Sequence, residues 1–153
     1  MVTSIRINSC FKAGLFNGKY LEWRPMANVL IVDDDDAVRG ILLDLLSDRY
    51  QCNTASTAEE AFQYLEIEDY DAVLTDIAMP GLTGVELMKR VQLKDLDTPV
   101  ILISGKNDEQ DSEALIKLGA FAYLNKPFSL DEIEFIVERA VGSRNGSALK
   151  KVL

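Results

Sequence analysis

The 153-residue chain contains no histidine. That excludes Ser-His-Asp and Cys-His catalysis, and any metal site that needs an imidazole ligand. Cysteine is scarce too. Cys10 and Cys52 are the only two, and they form neither a disulfide framework nor a metal-binding spacing. Such usage fits a reducing cytoplasm. Basic charge is in the minority, with 16 Lys and Arg against 25 Asp and Glu, a net of -9. Direct nucleic-acid binding by this domain is not expected from that balance. No apolar run approaches the roughly 20 residues of a membrane-spanning helix. The N-terminus also lacks the uninterrupted apolar stretch of a signal peptide, so no membrane partner is expected.

What remains is an ordinary globular composition, 48% hydrophobic and 27% charged. The length suits one domain with a sizeable core. Charge is distributed unevenly. Residues 1–26 carry Arg6, Lys12, Lys19 and Arg24 against Glu22 alone. Residues 143–153 carry Arg144, Lys150 and Lys151 and no acid. The middle, 27–142, therefore holds a net charge of -15. This shift divides the chain into a leader over 1–26, an acidic domain over 27–142 and a linker or tail over 143–153. The leader reads as an upstream extension or non-native sequence. The alternative is an ordered arm that packs through Phe11, Phe16, Tyr20 and Trp23. The tail "GSRNGSALKKVL" reads as a helix end running into a linker.

Between the ends, short runs rich in Val, Ile and Leu recur at Val29–Val32, Ala72–Leu74, Val100–Ile103 and Ala120–Leu124, with a weaker one at Gln51–Ala55. Runs of this kind suit strands buried on both faces. Helical stripes alternate with them: Val38, Ile41, Leu42, Leu45 and Leu46; Ala58, Ala61, Phe62 and Leu65; Val85, Met88 and Val91; Ala114, Leu115 and Leu118; Ile133, Ile136, Val137 and Ala140. Thr57–Glu60, Thr83–Glu86 and Ser129–Glu132 have capping-box spacing. Gly119 stands where the fourth helix should stop. Five strand–helix units predict a doubly wound α/β fold with a parallel sheet covered on both faces.

In such sheets, sites form at the carboxyl ends of the strands. The first strand ends in Asp33 and Asp34, the third in Asp76, the fourth in Ser104 and the fifth near Lys126. Each has a plain structural explanation. Acids after a strand often cap a helix, and Asp35 or Asp36 fits that role. Asp76 alone could be a solvated loop residue, and Lys126 a surface cation. Together, at separate strand ends, they make a coherent site. Clustered carboxylates bind a hard divalent cation such as Mg²⁺. That cation, with Lys126 on the opposite side of the pocket, would offset phosphoryl charge. A carboxylate can accept a phosphoryl group as nucleophile.

Four motifs in order carry a family resemblance from about Asn28 to Gly142. "VLIVDDD", "DAVLTDIAMPGLTGVEL", "PVILISG" and "GAFAYLNKPF" resemble the signature segments of two-component response regulator receiver domains, the chemotaxis-regulator-like kind. The resemblance implies a flavodoxin-like (βα)5 sandwich with strand order 2-1-3-4-5. It implies a phosphoacceptor signalling role, not a turnover enzyme, with Asp76 as the phosphorylated residue. Asp34 would ligate Mg²⁺ directly, Asp33 partly through water, and the backbone carbonyl of Ala78 would complete the protein's share. Lys126 would contact the phosphoryl group. Ser104 and Tyr123 would move together and reshape the surface of the fourth helix, fifth strand and fifth helix. The Lys126–Pro127 bond would be cis.

The implied partners are a sensor histidine kinase or phosphotransfer protein, an effector beyond residue 153 that controls transcription, and a second copy through the switch surface. Lys106 places a cation near or just outside the acidic site. One rival is a Mg²⁺-dependent phosphatase of haloacid-dehalogenase type, since Asp33 to Asp35 contains an Asp-x-Asp. Ala37 stands where that family has threonine or valine. The other rival is a binding module that has lost its chemistry.

Overall fold

The computed structural model describes residues 26–95, 97–105 and 111–152, with the short segments Leu15–Phe16 and Lys19–Tyr20. Those segments pair antiparallel as two-residue strands. The side chains of Phe11, Phe16, Tyr20 and Trp23, and most of the leader, lie outside the described residues.

Five strands form the main sheet: β1 (Asn28–Val32), β2 (Gln51–Ala55), β3 (Ala72–Asp76), β4 (Val100–Ser104) and β5 (Ala122–Asn125). All neighbours are parallel, in the order β2-β1-β3-β4-β5. The helices are α1 (Asp36–Leu46), α2 (Ala58–Ile67), α3 (Gly84–Lys94), α4 (Ser112–Lys117) and α5 (Leu130–Val152).

The unbroken apolar runs have a direct physical cause. Successive side chains point to opposite faces of a sheet, so a strand covered on both sides must be apolar at every position. Val29 and Ile31 enter one core with Leu42 and Leu46 of α1 and Ile133 and Val137 of α5. Leu30 and Val32 enter the other with Ala61 and Leu65 of α2 and Leu87 and Met88 of α3. Each fully buried large aliphatic side chain contributes about 1.5–3 kcal/mol.

The caps differ in detail from the expected boxes. Thr83 and Glu86 satisfy each other reciprocally at α3. At α2 the Thr57 hydroxyl accepts from the Glu60 N–H, but the Glu60 carboxylate reaches the N–H and hydroxyl of Ser56 instead. The Ser129 hydroxyl accepts from the Glu132 N–H at α5. Gly119 adopts φ 111°, which follows the end of α4 and favours glycine.

Two expectations change. Of the fourth stripe only Leu115 is buried, while Ala114 and Leu118 are exposed. A helix of six residues turns too few side chains inward for a full stripe. In α1, Ile41 is likewise exposed. The last helix does not end near Gly142. Its backbone stays helical through Val152, and Gly142 meets no steric or conformational demand to stop it.

Candidate functional site

The parallel topology carries the carboxyl ends of β1, β3, β4 and β5 to one edge. Asp33 follows β1 and is buried, with its N–H donated to the Ala55 carbonyl. Its two carboxylate oxygens have different duties. One accepts from the Asp35 N–H at 2.9 Å. The other accepts from the Lys126 ammonium at 3.0 Å. Asp34 is exposed. Asp35 is the N-cap of α1 and accepts from Ala37 and Val38, with Asp36 in the first helical turn. The acidic run therefore splits into two site residues and two helix-start residues.

Asp76, at the end of β3, is buried. Its backbone carbonyl accepts from the Thr75 hydroxyl at 3.0 Å. Gly84 packs against the same carbonyl so closely that a Cβ there would lie 2.1 Å from the oxygen. That approach explains glycine at the start of α3, since any other side chain would collide with backbone.

Asp33, Asp34 and Asp76 each offer a carboxylate oxygen within 4.8 Å of the others. Lys126 lies 3.0 Å from Asp33 and 3.6 Å from Asp76. It does not stand across the pocket from the acids, as expected, but in direct contact with two of them. Burial by itself pulls the Lys126 ammonium toward neutrality. The hydrogen bond and charge of Asp33, and then Asp76, outweigh burial and hold it above the ordinary lysine value. A hard divalent cation suits this donor set, because all the available ligands are oxygens.

The other expected residues reach the same edge in different ways. Ser104 is fully buried at the end of β4, and its hydroxyl donates to the Gly105 carbonyl at 3.1 Å. Its own carbonyl accepts from the Lys126 N–H at 2.7 Å, which ties the β4 and β5 ends together. Tyr123 lies on β5 opposite Leu102 and is half-buried against the core beneath α3 and α4. Ala78 is exposed two residues past Asp76. The Lys126–Pro127 peptide is cis. Lys106 lies outside the described residues.

One contributor was missed in the sequence. Arg39, on the second turn of α1, donates to the Asp33 backbone carbonyl at 2.6 Å and pairs with Asp36. The only sequence signal was an arginine three residues after Asp36, which reads equally well as a surface ion pair.

The model of the response regulator receiver domain matches residues 29–138. The chain belongs to this family. The DNA-binding transcriptional regulator NtrC of Escherichia coli K12 is 35% identical over 114 residues, which cover 74% of this chain and 24% of NtrC. The cell cycle response regulator CtrA of Brucella ovis is 33% identical over 119 residues, covering 74% of this chain and 51% of CtrA. The chain thus spans about a quarter of NtrC and about half of CtrA.

Among solved structures, a receiver domain protein from Clostridium thermocellum superposes with a TM-score of 0.73 at 26% identity, covering 78% of this chain and 97% of that one. NtrX from Brucella abortus, solved with ATP, gives 0.77 at 27% identity, covering 83% of this chain and 29% of NtrX. The receiver domain is a phosphoacceptor signalling module, and this chain has that role. The haloacid-dehalogenase reading has no support. Asp35, which would complete its Asp-x-Asp, is occupied as a helix cap.

Proposed function

We propose that this receiver takes a phosphoryl group onto Asp76 from the phosphohistidine of a sensor kinase or phosphotransfer protein. The observation that supports this most is the convergence of Asp33, Asp34 and Asp76 within 4.8 Å, with Lys126 in contact with two of them. An Asp76 carboxylate oxygen attacks phosphorus. An O–P bond forms, the donor N–P bond breaks, and the imidazole nitrogen leaves with the electron pair. Asp33, Asp34, Asp76 and the Ala78 backbone carbonyl would hold Mg²⁺. When bound, the ion neutralises charge on the carboxylates and the phosphoryl oxygens. Lys126 turns its ammonium to a phosphoryl oxygen. The chain catalyses no reaction beyond its own phosphorylation and dephosphorylation.

Ser104 donates its hydroxyl to the phosphoryl group in the modified state, in exchange for the Gly105 carbonyl. Tyr123 then turns inward, and the surface of α4, β5 and α5 changes. The phosphoryl group drives this change only through its different interaction with the two states. That surface would meet an effector that controls transcription, or a second copy of the chain, in the cytoplasm. The domain itself is not assigned nucleic-acid contacts.

The test is labelling by acetyl phosphate with Mg²⁺. The native chain is expected to gain one phosphoryl group and Asp76→Asn none. Undiminished labelling of Asp76→Asn would remove the acceptor assignment. An unchanged amide spectrum on adding beryllofluoride and Mg²⁺ would favour a module without chemistry.

A further inference from the structure

We infer that Arg39 is a positioning residue for the cation site: by holding the Asp33 carbonyl, it sets the direction in which Asp34 projects. The inference rests on the Mg²⁺ reading above.

Asp33 is anchored on every side. Its N–H, both carboxylate oxygens and its carbonyl all have partners. Asp34 is different. It is exposed, and its side chain makes no hydrogen bond or ion pair with the described residues. Among the described residues no side-chain contact keeps its carboxylate near those of Asp33 and Asp76. Its backbone must do so. The Asp33 carbonyl belongs to the peptide that joins Asp33 to Asp34. Because a peptide is planar, fixing that oxygen fixes the plane from which Asp34 departs. Arg39 fixes it at 2.6 Å with a charge-assisted bond. Its guanidinium is itself held, since a second nitrogen pairs with Asp36 and the side chain is only 18% exposed. Arginine suits this because one planar fork serves two acceptors.

The sign of the effect separates positioning from charge. Arg39 is a cation beside an acidic site. By Coulomb's law alone, removing it would make the site more attractive to Mg²⁺. If Arg39 positions Asp34, removing it weakens binding. Partners that orient metal ligands are typically worth about 10–100-fold in affinity.

The experiment is a Mg²⁺ titration of the unphosphorylated full chain, read from the amide shifts of Asp34 and Asp76. Arg39→Met keeps the stem and removes donor and charge. It is expected to raise the dissociation constant about tenfold. Arg39→Lys keeps a charged donor without the planar fork and is expected to recover only part of that loss. Thermal unfolding without Mg²⁺ reports the fold separately. Arg39→Gln, too short to replace the contact, carries the same expectation should Arg39→Met lose its native spectrum. An affinity that is unchanged or tighter in the folded Met or Gln variant overturns the positioning role and leaves the Mg²⁺ reading standing. Absence of any Mg²⁺ response in the native chain overturns both.

Discussion

The two edges of the sheet are both acidic, yet they are built on opposite terms. At the amino edge Asp71 and Asp95 each have their own structural partner. Asp71 accepts from the Asn28 N–H at 2.8 Å, and Asp95 pairs with Arg144 and accepts from the Asp97 N–H. Arg144 also donates to Thr98 at 3.1 Å. At the carboxyl edge, Asp33, Asp34 and Asp76 bring carboxylate oxygens within 4.8 Å of one another, and Asp33 and Asp76 share Lys126. Acidity therefore does not mark the site. What sets the carboxyl edge apart is the convergence of carboxylates from separate strand ends.

The contrast is sharpest if the carboxyl edge is disturbed first. Gly84→Ala would push a Cβ against the Asp76 carbonyl and force α3 outward. A loss of about 3 kcal/mol is expected in urea unfolding, as for overpacked cores. A near-neutral result would mean that the close approach is easily relieved. Lys126→Ala would leave buried Asp33 without its cation. About 2 kcal/mol is expected in Mg²⁺-free buffer, discounted because the ammonium is partly exposed. Added Mg²⁺ should return part of it. The folded state raises the Lys126 value above the ordinary 10.5. Its stabilisation is therefore fully present below that pH and fades as pH rises through the elevated value.

Changes at the amino edge should be smaller and blind to Mg²⁺. Arg144→Ala is expected to cost about 1 kcal/mol, since its partner Asp95 is a third exposed and can turn to water. Mg²⁺ dependence of that loss would erase the distinction between the edges. Smallest is Tyr70→Phe. The Tyr70 hydroxyl is buried with no partner among the described residues. Its removal should leave stability unchanged or raise it by about 0.5 kcal/mol. A clear loss in thermal unfolding would reveal a partner such as a bound water.

Much of this was legible before the fold. Val29–Val32 and Val100–Ile103 read as buried strands because both faces are covered, so every position had to be apolar. Asp33, Asp34, Asp76, Ser104 and Lys126 were picked out because strand ends are readable, and parallel topology sends those ends to one edge. Asp35 followed from cap chemistry. The α4 stripe misled because a pattern of apolar residues does not say how many turns reach the core. Arg39 was missed because its partner is a backbone carbonyl, which every residue offers and no side-chain pattern marks.

The sequence by itself determined the layers, the alternation of strand and helix, and which residues stand at the carboxyl ends of the strands. Those depend on apolar spacing and local caps, which act along the chain. Only the tertiary structure decided that Lys126 touches Asp33 and Asp76, that Gly84 abuts the Asp76 carbonyl, and that Arg39 holds the Asp33 carbonyl. The first two join segments separated in sequence, and the third depends on the backbone path between β1 and α1. Distances and orientations of that kind exist only once the sheet and helices have packed.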